Sequence, residues 1–411
     1  MIEDRISETQ FPFAGQPDRA TLIIGFAVSL IIAAFLVGID RNGLLWEAPD
    51  RITYDWRTYL FSERAKAPRD DMVLIRVNED SLTGYPYLSP IDRGMTAELV
   101  RQIAEAQPAA IGLDFIFDRV TEPSKDNALL AALKDVNARV PVIIGAVDER
   151  SGSRDAAPLY QERLIKDGGL RGGHIYFATD QERLSLGDQA VRFIVAPSPA
   201  PPARPAFSQA LADAVGKGFA PASALIYWRH SPTEAGAHFL PTFTLLPHRD
   251  ATGKRTGPVL PDSWRAVLRG KIVLIGGAFS DRDLHMTPLS VATNGFVHGV
   301  EIHAQMLAQR LDKRSVYVMN WWQEFMLVAA VAGLGFFAGR LWRVSGDGWK
   351  TSALAFVVFV SASFGLFAAF SFILPTATLF FAWPAGLLTG QHMGWVTERL
   401  GPSGTETQGE A

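Results

Sequence analysis

MVLIRV (Met72–Val77), AAIGLDFIF (Ala109–Phe117) and VPVIIGAV (Val140–Val147) are three short apolar runs, and what separates them decides the fold. All three carry the aliphatic and β-branched side chains that suit a buried strand. Between the first two, Met95, Leu99, Val100 and Ile103 recur at helical spacing within residues 94–106, and after the second, residues 126–136 again read as helix. Strand, helix, strand, helix, strand implies βαβ units, because parallel strands need a crossover and a helix usually supplies it. Further along, KIVLIGG (Lys271–Gly277) reads as another buried strand and GVEIHAQMLAQRL (Gly299–Leu311) as a helix. The expected class is α/β with a largely parallel sheet. The middle, roughly residues 149–262, is irregular and contains APSPAPPARPAF (Ala196–Phe207). A rigid surface loop is the preferred reading of that proline-rich stretch over an interdomain linker, since the strands on either side look like parts of one sheet.

Outside this domain the chain turns apolar. TLIIGFAVSLIIAAFLVGI (Thr21–Ile39) is uncharged and bracketed by Asp18, Arg19, Asp40 and Arg41. As a helix it spans roughly 28 Å, close to the ~30 Å hydrocarbon core of a bilayer. A cleaved signal peptide fits poorly, because the preceding arm is at least as acidic as basic and LVGIDRNG offers no small-x-small site. FMLVAAVAGLGFFAG (Phe325–Gly339), preceded by Trp321 and Trp322, reads as a second span with an interfacial aromatic pair. From Thr351 to Thr397 only His392 is ionisable. That is about 70 Å of helix, enough for two crossings that turn near Pro375. Four transmembrane helices are thus expected, at 21–39, 321–339, 351–373 and 376–397. The connection RLWRVSGDGWK (340–350) carries Arg340, Arg343 and Lys350 against Asp347, which places it in the cytoplasm. An N-terminal arm (1–20) and a tail (398–411) then lie on the same side, and residues 40–320 lie outside the cytoplasm.

With a net charge of −3 over 411 residues, nucleic acid is not the expected partner. The absence of cysteine excludes disulfides and thiolate metal sites, so an exported domain must hold together by its core.

Several short motifs occur in a specific order. YDWR (Tyr54–Arg57) is followed by VNEDSLTGYPYL from Val77, then Asp92 and Arg93, AAIGLDFIFD ending at Asp118 and KDNALLAAL from Lys125. IYWR (Ile226–Arg229), KIVLIGGAFSDRDLHMTP ending at Pro288 and GVEIHA (Gly299–Ala304) complete the series. In order and spacing this stretch, about residues 50–315, resembles the type-2 CHASE domain, a bacterial extracellular sensory domain associated with cyclases and histidine kinases. Tyr85-Pro86-Tyr87 stands where the family has a Trp-Pro-Trp type of turn, and Tyr227 where asparagine is usual. The resemblance implies a sensory role and three spans after the domain. Only a short polar tail follows the last of them, so the output module that such proteins carry is expected to come from another chain.

The candidate ligand-binding residues are Asp114 and Asp118 at the end of one strand, Asp281, Asp283 and His285 after another, and Glu301 and His303 at the start of the last helix, where His298 also lies. Open α/β sheets bind ligands at the carboxyl ends of strands. If these groups converge, they suit a cation or a polar solute. The competing reading makes Asp283 and Glu301 helix caps and the histidines satisfied core or loop residues. The Tyr54, Trp56 and Arg57 group reads as a structural anchor just past the membrane. No hydrolase elbow, phosphate-binding loop or HExxH pair occurs. No catalytic residue, metal ligand or cofactor is expected.

The functional expectation is a membrane-anchored sensor in a bacterial inner membrane, not an enzyme, embedded in the lipid bilayer and signalling through a separate protein. Two-fold assembly is expected. The alternatives are an envelope scaffold that uses the domain for protein contacts, and a degenerate family member or a periplasmic enzyme with an unfamiliar site.

Overall fold

The computed structural model describes residues 19–41, 47–148, 150, 157–177, 190–197, 201–231, 238–249, 252, 255–258, 260–293, 295–341 and 348–399. Most of the expected N-terminal arm (1–18), the core of the basic loop (342–347), the tail from 400 and residues 198–200 of the proline-rich stretch lie outside the described residues. The chain divides into a helical unit (1–54 and 318–411) and an α/β unit (55–317).

The helical unit contains α1 (Arg19–Arg41), the first part of α2 (Glu47–Phe61), α9 (Trp321–Leu341), α10 (Gly348–Phe370) and α11 (Thr376–Arg399). By length and composition α1, α9 and α10 are apolar enough to cross a membrane. Helix α9 starts at Trp321, as the expected second span does, and ends two residues beyond it at Leu341. Although as long as the others, α11 has Pro384 inside it and Gln391 and His392 toward its end. It packs backbone to backbone on α9. A Cβ added at Gly335 or Gly339 would meet the α11 carbonyls of Trp383 or Leu387, and one at Gly386 or Gly390 would meet those of Ala332 or Phe336 on α9. Two facing G-x-x-x-G pairs, GFFAG and GLLTG, therefore set this contact, as small residues do wherever membrane helices approach closely. Ser29 of α1 abuts Gly333 and returns its hydroxyl to the Gly25 carbonyl at 2.6 Å. Leu354, Phe356, Val357 and Val358 of α10 stay exposed, as side chains facing lipid would.

In the α/β unit six strands form one parallel sheet: β1 (Met72–Val77), β2 (Ala110–Asp114), β3 (Val142–Ala146), β4 (Arg171–His174), β5 (Thr242–Thr244) and β8 (Ile272–Gly277). Their order is β4-β3-β2-β8-β1-β5. The last sheet strand inserts between the first two, pairing Val73 with Val273 and Ile111 with Val273. Both sides of the irregular middle thus belong to one sheet. That middle supplies β4, β5, α5 (Ala157–Gly168), α6 (Phe207–Ala214) and a small hairpin of β6 (His248–Arg249) and β7 (Arg255–Gly257).

Alternation along each strand splits the core in two. Val73, Ile75, Ile111, Leu113, Val273 and Ile275 pack with α3 (Arg93–Glu105) and α4 (Pro123–Asn137), while α7 (Asp262–Leu268) adds Leu268 on that side. Met72, Leu74, Ala110, Ile272 and Leu274 pack with α6 and α8 (Gly299–Leu311). Buried on both faces, such strands read as continuous apolar runs rather than alternating ones.

Candidate functional site

Helices α3 and α4 follow β1 and β2 on one face of the sheet, whereas α8 follows β8 on the other. The helices leaving the adjacent strands β2 and β8 therefore diverge, and a crevice opens beyond the carboxyl ends of these strands. Asp114, the last residue of β2, stands opposite Gly276 of β8. A cleft of about 740 Å³ lies here, lined by the segments that follow β1, β2, β3, β4 and β8 together with His303 of α8.

Five of the seven predicted residues line this cleft: Asp114, Asp118, Asp283, His285 and His303. Asp114 and His303 lie deepest, with side chains 7% and 3% exposed, and His303 Nε2 stands 3.9 Å from Asp114 Oδ1. No hydrogen bond of ordinary geometry reaches either ring nitrogen of His303 among the described residues. Burial pushes the His303 imidazole down to about 3, reinforced by His174 and His285, although the Ile175 backbone acts slightly the other way. Asp114 is held well above the usual carboxylate range by burial first and by the Asp283 charge second. Phe177, just past β4, stacks on His303 at 4.6 Å and meets His285 edge-on at 5.0 Å. His285 Nε2 lies 2.9 Å from Asp283 Oδ1. Asp283 has a left-handed backbone, φ 57°. Its carboxylate lies against Gly299 at the amino end of α8, where a Cβ would collide with it. That position favours an anion.

Asp281 and Glu301 do not line the cleft. Asp281 forms a 2.8 Å pair with Arg282 and is largely exposed. Glu301 pairs with Arg76 of β1 at 2.5 Å. His298 occupies the N-cap position of α8, and burial lowers its pKa. Around the rim, Arg119 pairs with Asp118, Arg150 with Asp148 and Arg282 with Asp281. Among the described residues no group of three or more His, Asp or Glu side chains could hold a metal ion.

The other motif residues lock the fold. Asp92 caps α3 through the Met95 amide at 2.9 Å and binds Lys125 at 2.7 Å. Arg93, fully buried, lies 3.6 Å from Asp126 and over the Phe117 ring. In YDWR, Tyr54 and Arg57 are buried while Trp56 is exposed, and Asp55 takes two buried hydrogen bonds from Arg192 at 2.8 and 2.6 Å. Arg229 of IYWR and Arg69 converge on Asp312, at 2.5 and 2.6 Å, just past the end of α8.

A family model of the CHASE2 domain matches residues 26–339. The chain belongs to the CHASE2 family. Comparison with curated proteins found no match, and neither did comparison with solved structures. The match makes the α/β unit a sensory domain of an extracellular class. Sequence reasoning missed the cleft's Ile175–Phe177 wall, because the CHASE2 strand that leads into it, RGGH, is half glycine. Gly173 is required by packing, since a Cβ there would strike the Phe207 backbone. The usable signal was the aromatic pair of HIYF directly after that strand.

Proposed function

We propose that this protein is a membrane-anchored receptor whose CHASE2 domain binds a small envelope solute in the β2/β8 cleft and relays the event through α8. What carries the reading is the placement of His303. It is buried in the cleft floor beside the Ile175 backbone, with no hydrogen bond of ordinary geometry among the described residues, on the helix whose chain enters α9 soon afterwards. A solute that hydrogen-bonds His303 gains a group already desolvated, and α8 must adjust to it. Where α8 ends, Asp312 is held by Arg69 and Arg229, an arrangement that a small displacement of the helix would strain.

In this reading α11 is a fourth span, supported by its glycine-mediated contact with α9. The domain faces the periplasm of a bacterial inner membrane, supported by the basic loop at 340–350. The receptor acts as a pair and hands its signal to a separate protein. We read it as a binding module rather than an enzyme. Crosslinking the full-length protein in its membrane, followed by affinity purification, tests the relay. Recovery of a cytoplasmic regulator is expected. Recovery of envelope proteins alone would instead favour a scaffold and remove transmembrane signalling from the reading.

A further inference from the structure

The chemistry of the cleft narrows what it can hold. Its three arginines are each engaged by a neighbouring aspartate, so none is a free anion receptor. Two carboxylates have no such cation. Asp114 accepts no hydrogen bond among the described residues, and Asp283 has only His285 and the amino end of α8. An acidic pair alone is weak grounds for a site. The independent observation is His303, buried, lining the same cleft, with both ring nitrogens lacking a partner of ordinary geometry. A neutral imidazole offers one donor and one acceptor. The 3.9 Å gap between His303 and Asp114 is too wide for a direct hydrogen bond, yet narrow enough for one ligand nitrogen to reach both. Beside these groups the wall is apolar, with Val147, Ile175 and Phe279.

Resting on the reading of this cleft as the sensory site, we propose that it binds a small organic ammonium compound. The charged nitrogen is held by Asp114 and Asp283 with His303 as a further acceptor, and the hydrocarbon part lies on Val147, Ile175 and Phe279. A cation is the complement that the site lacks. It offsets the mutual repulsion of two carboxylates and supplies a donor to Asp114, which has none among the described residues. Proton release from Asp114 must accompany binding, because the raised carboxyl accepts a cation only when ionised.

The test uses the full-length protein in lipid nanodiscs and isothermal titration with three probes of one shape: 2-phenylethylamine, 2-phenylethanol and 3-phenylpropionate. The amine is expected to bind saturably and at least about tenfold more tightly than the alcohol, as a charge-assisted contact requires. Its affinity should rise between pH 5 and pH 8. Asp114→Asn should remove this preference. Asp283→Asn, which suits the left-handed backbone, should reduce it and serves as the second variant if the first does not fold. Equal or tighter binding of the alcohol or the carboxylate would overturn the ammonium assignment while leaving the cleft as a binding site. Amine binding unchanged in both variants would also overturn it. No saturable binding of any probe would overturn both the assignment and the cleft reading.

Discussion

Asp114 and His303 show opposite consequences of burial. Since the folded pKa of Asp114 is raised, its contribution to stability is present at low pH and is lost as pH rises through the folded value. Asp114→Asn puts a neutral amide where the buried carboxyl must otherwise keep its proton, so it removes that pH-dependent cost and should stabilise the ligand-free protein at pH 7. Thermal melts in nanodiscs would read this as a rise of a few degrees. The histidines work the other way. His303 and His174 have folded pKa values of about 3 and about 4, against an ordinary 6.5. Their contribution is fully present above about pH 6.5, declines below it and is gone once pH falls through the folded values. Each should cost about 1.4 kcal/mol per pH unit within that window. Melting temperatures followed from pH 7 to pH 5 should fall less steeply in His303→Gln. An unchanged slope would contradict burial of a neutral ring.

Two elements hold by contacts that a substitution can address singly. Arg192 and Asp55 tie the second half of α2 into the α/β unit through a buried two-bond pair. Removing one partner strands the other, so Asp55→Ala should destabilise the unit by about 3 kcal/mol or more. The readout is the melting temperature, with the double replacement of both partners by apolar residues expected to recover part of the loss. In the helical unit, Gly386→Leu would push a side chain into the Ala332 carbonyl of α9. Detergent-solubilised protein should then lose its α9–α11 association, seen as a collapse of the monodisperse peak in size-exclusion chromatography. Replacing the exposed Leu354 of α10 by valine should leave that peak unchanged.

For the molecule as a whole, membrane topology is the property most open to direct measurement. The chain lacks cysteine, so single cysteines report without background. On the proposed topology, thiols placed at Ser345 and Thr405 should react with an impermeant maleimide only after the inner membrane is opened, whereas one at Ser231 should react once the outer barrier is removed. Labelling of Thr405→Cys from the periplasmic side would mean that α11 does not cross.

The strands MVLIRV, AAIGLDFIF and KIVLIGG and the helix at 299–311 were legible in the sequence, because burial on both faces or helical spacing writes itself into consecutive residues. The apolar helices were legible for the same local reason, and the ordered motifs led to the family. Strand order was not, since nothing local tells Ile272–Gly277 to pair between β1 and β2. The contact of GFFAG with GLLTG needed both helices in place, because glycine marks close approach without naming the partner. Five acids and histidines of the predicted set met in one cleft, while Asp281 turned to its neighbour Arg282 at the rim and Glu301 to Arg76 of β1. That sorting is tertiary. A charged side chain settles by which opposite charge the fold brings within reach, and for Glu301 that partner, Arg76, is 225 residues away in the chain.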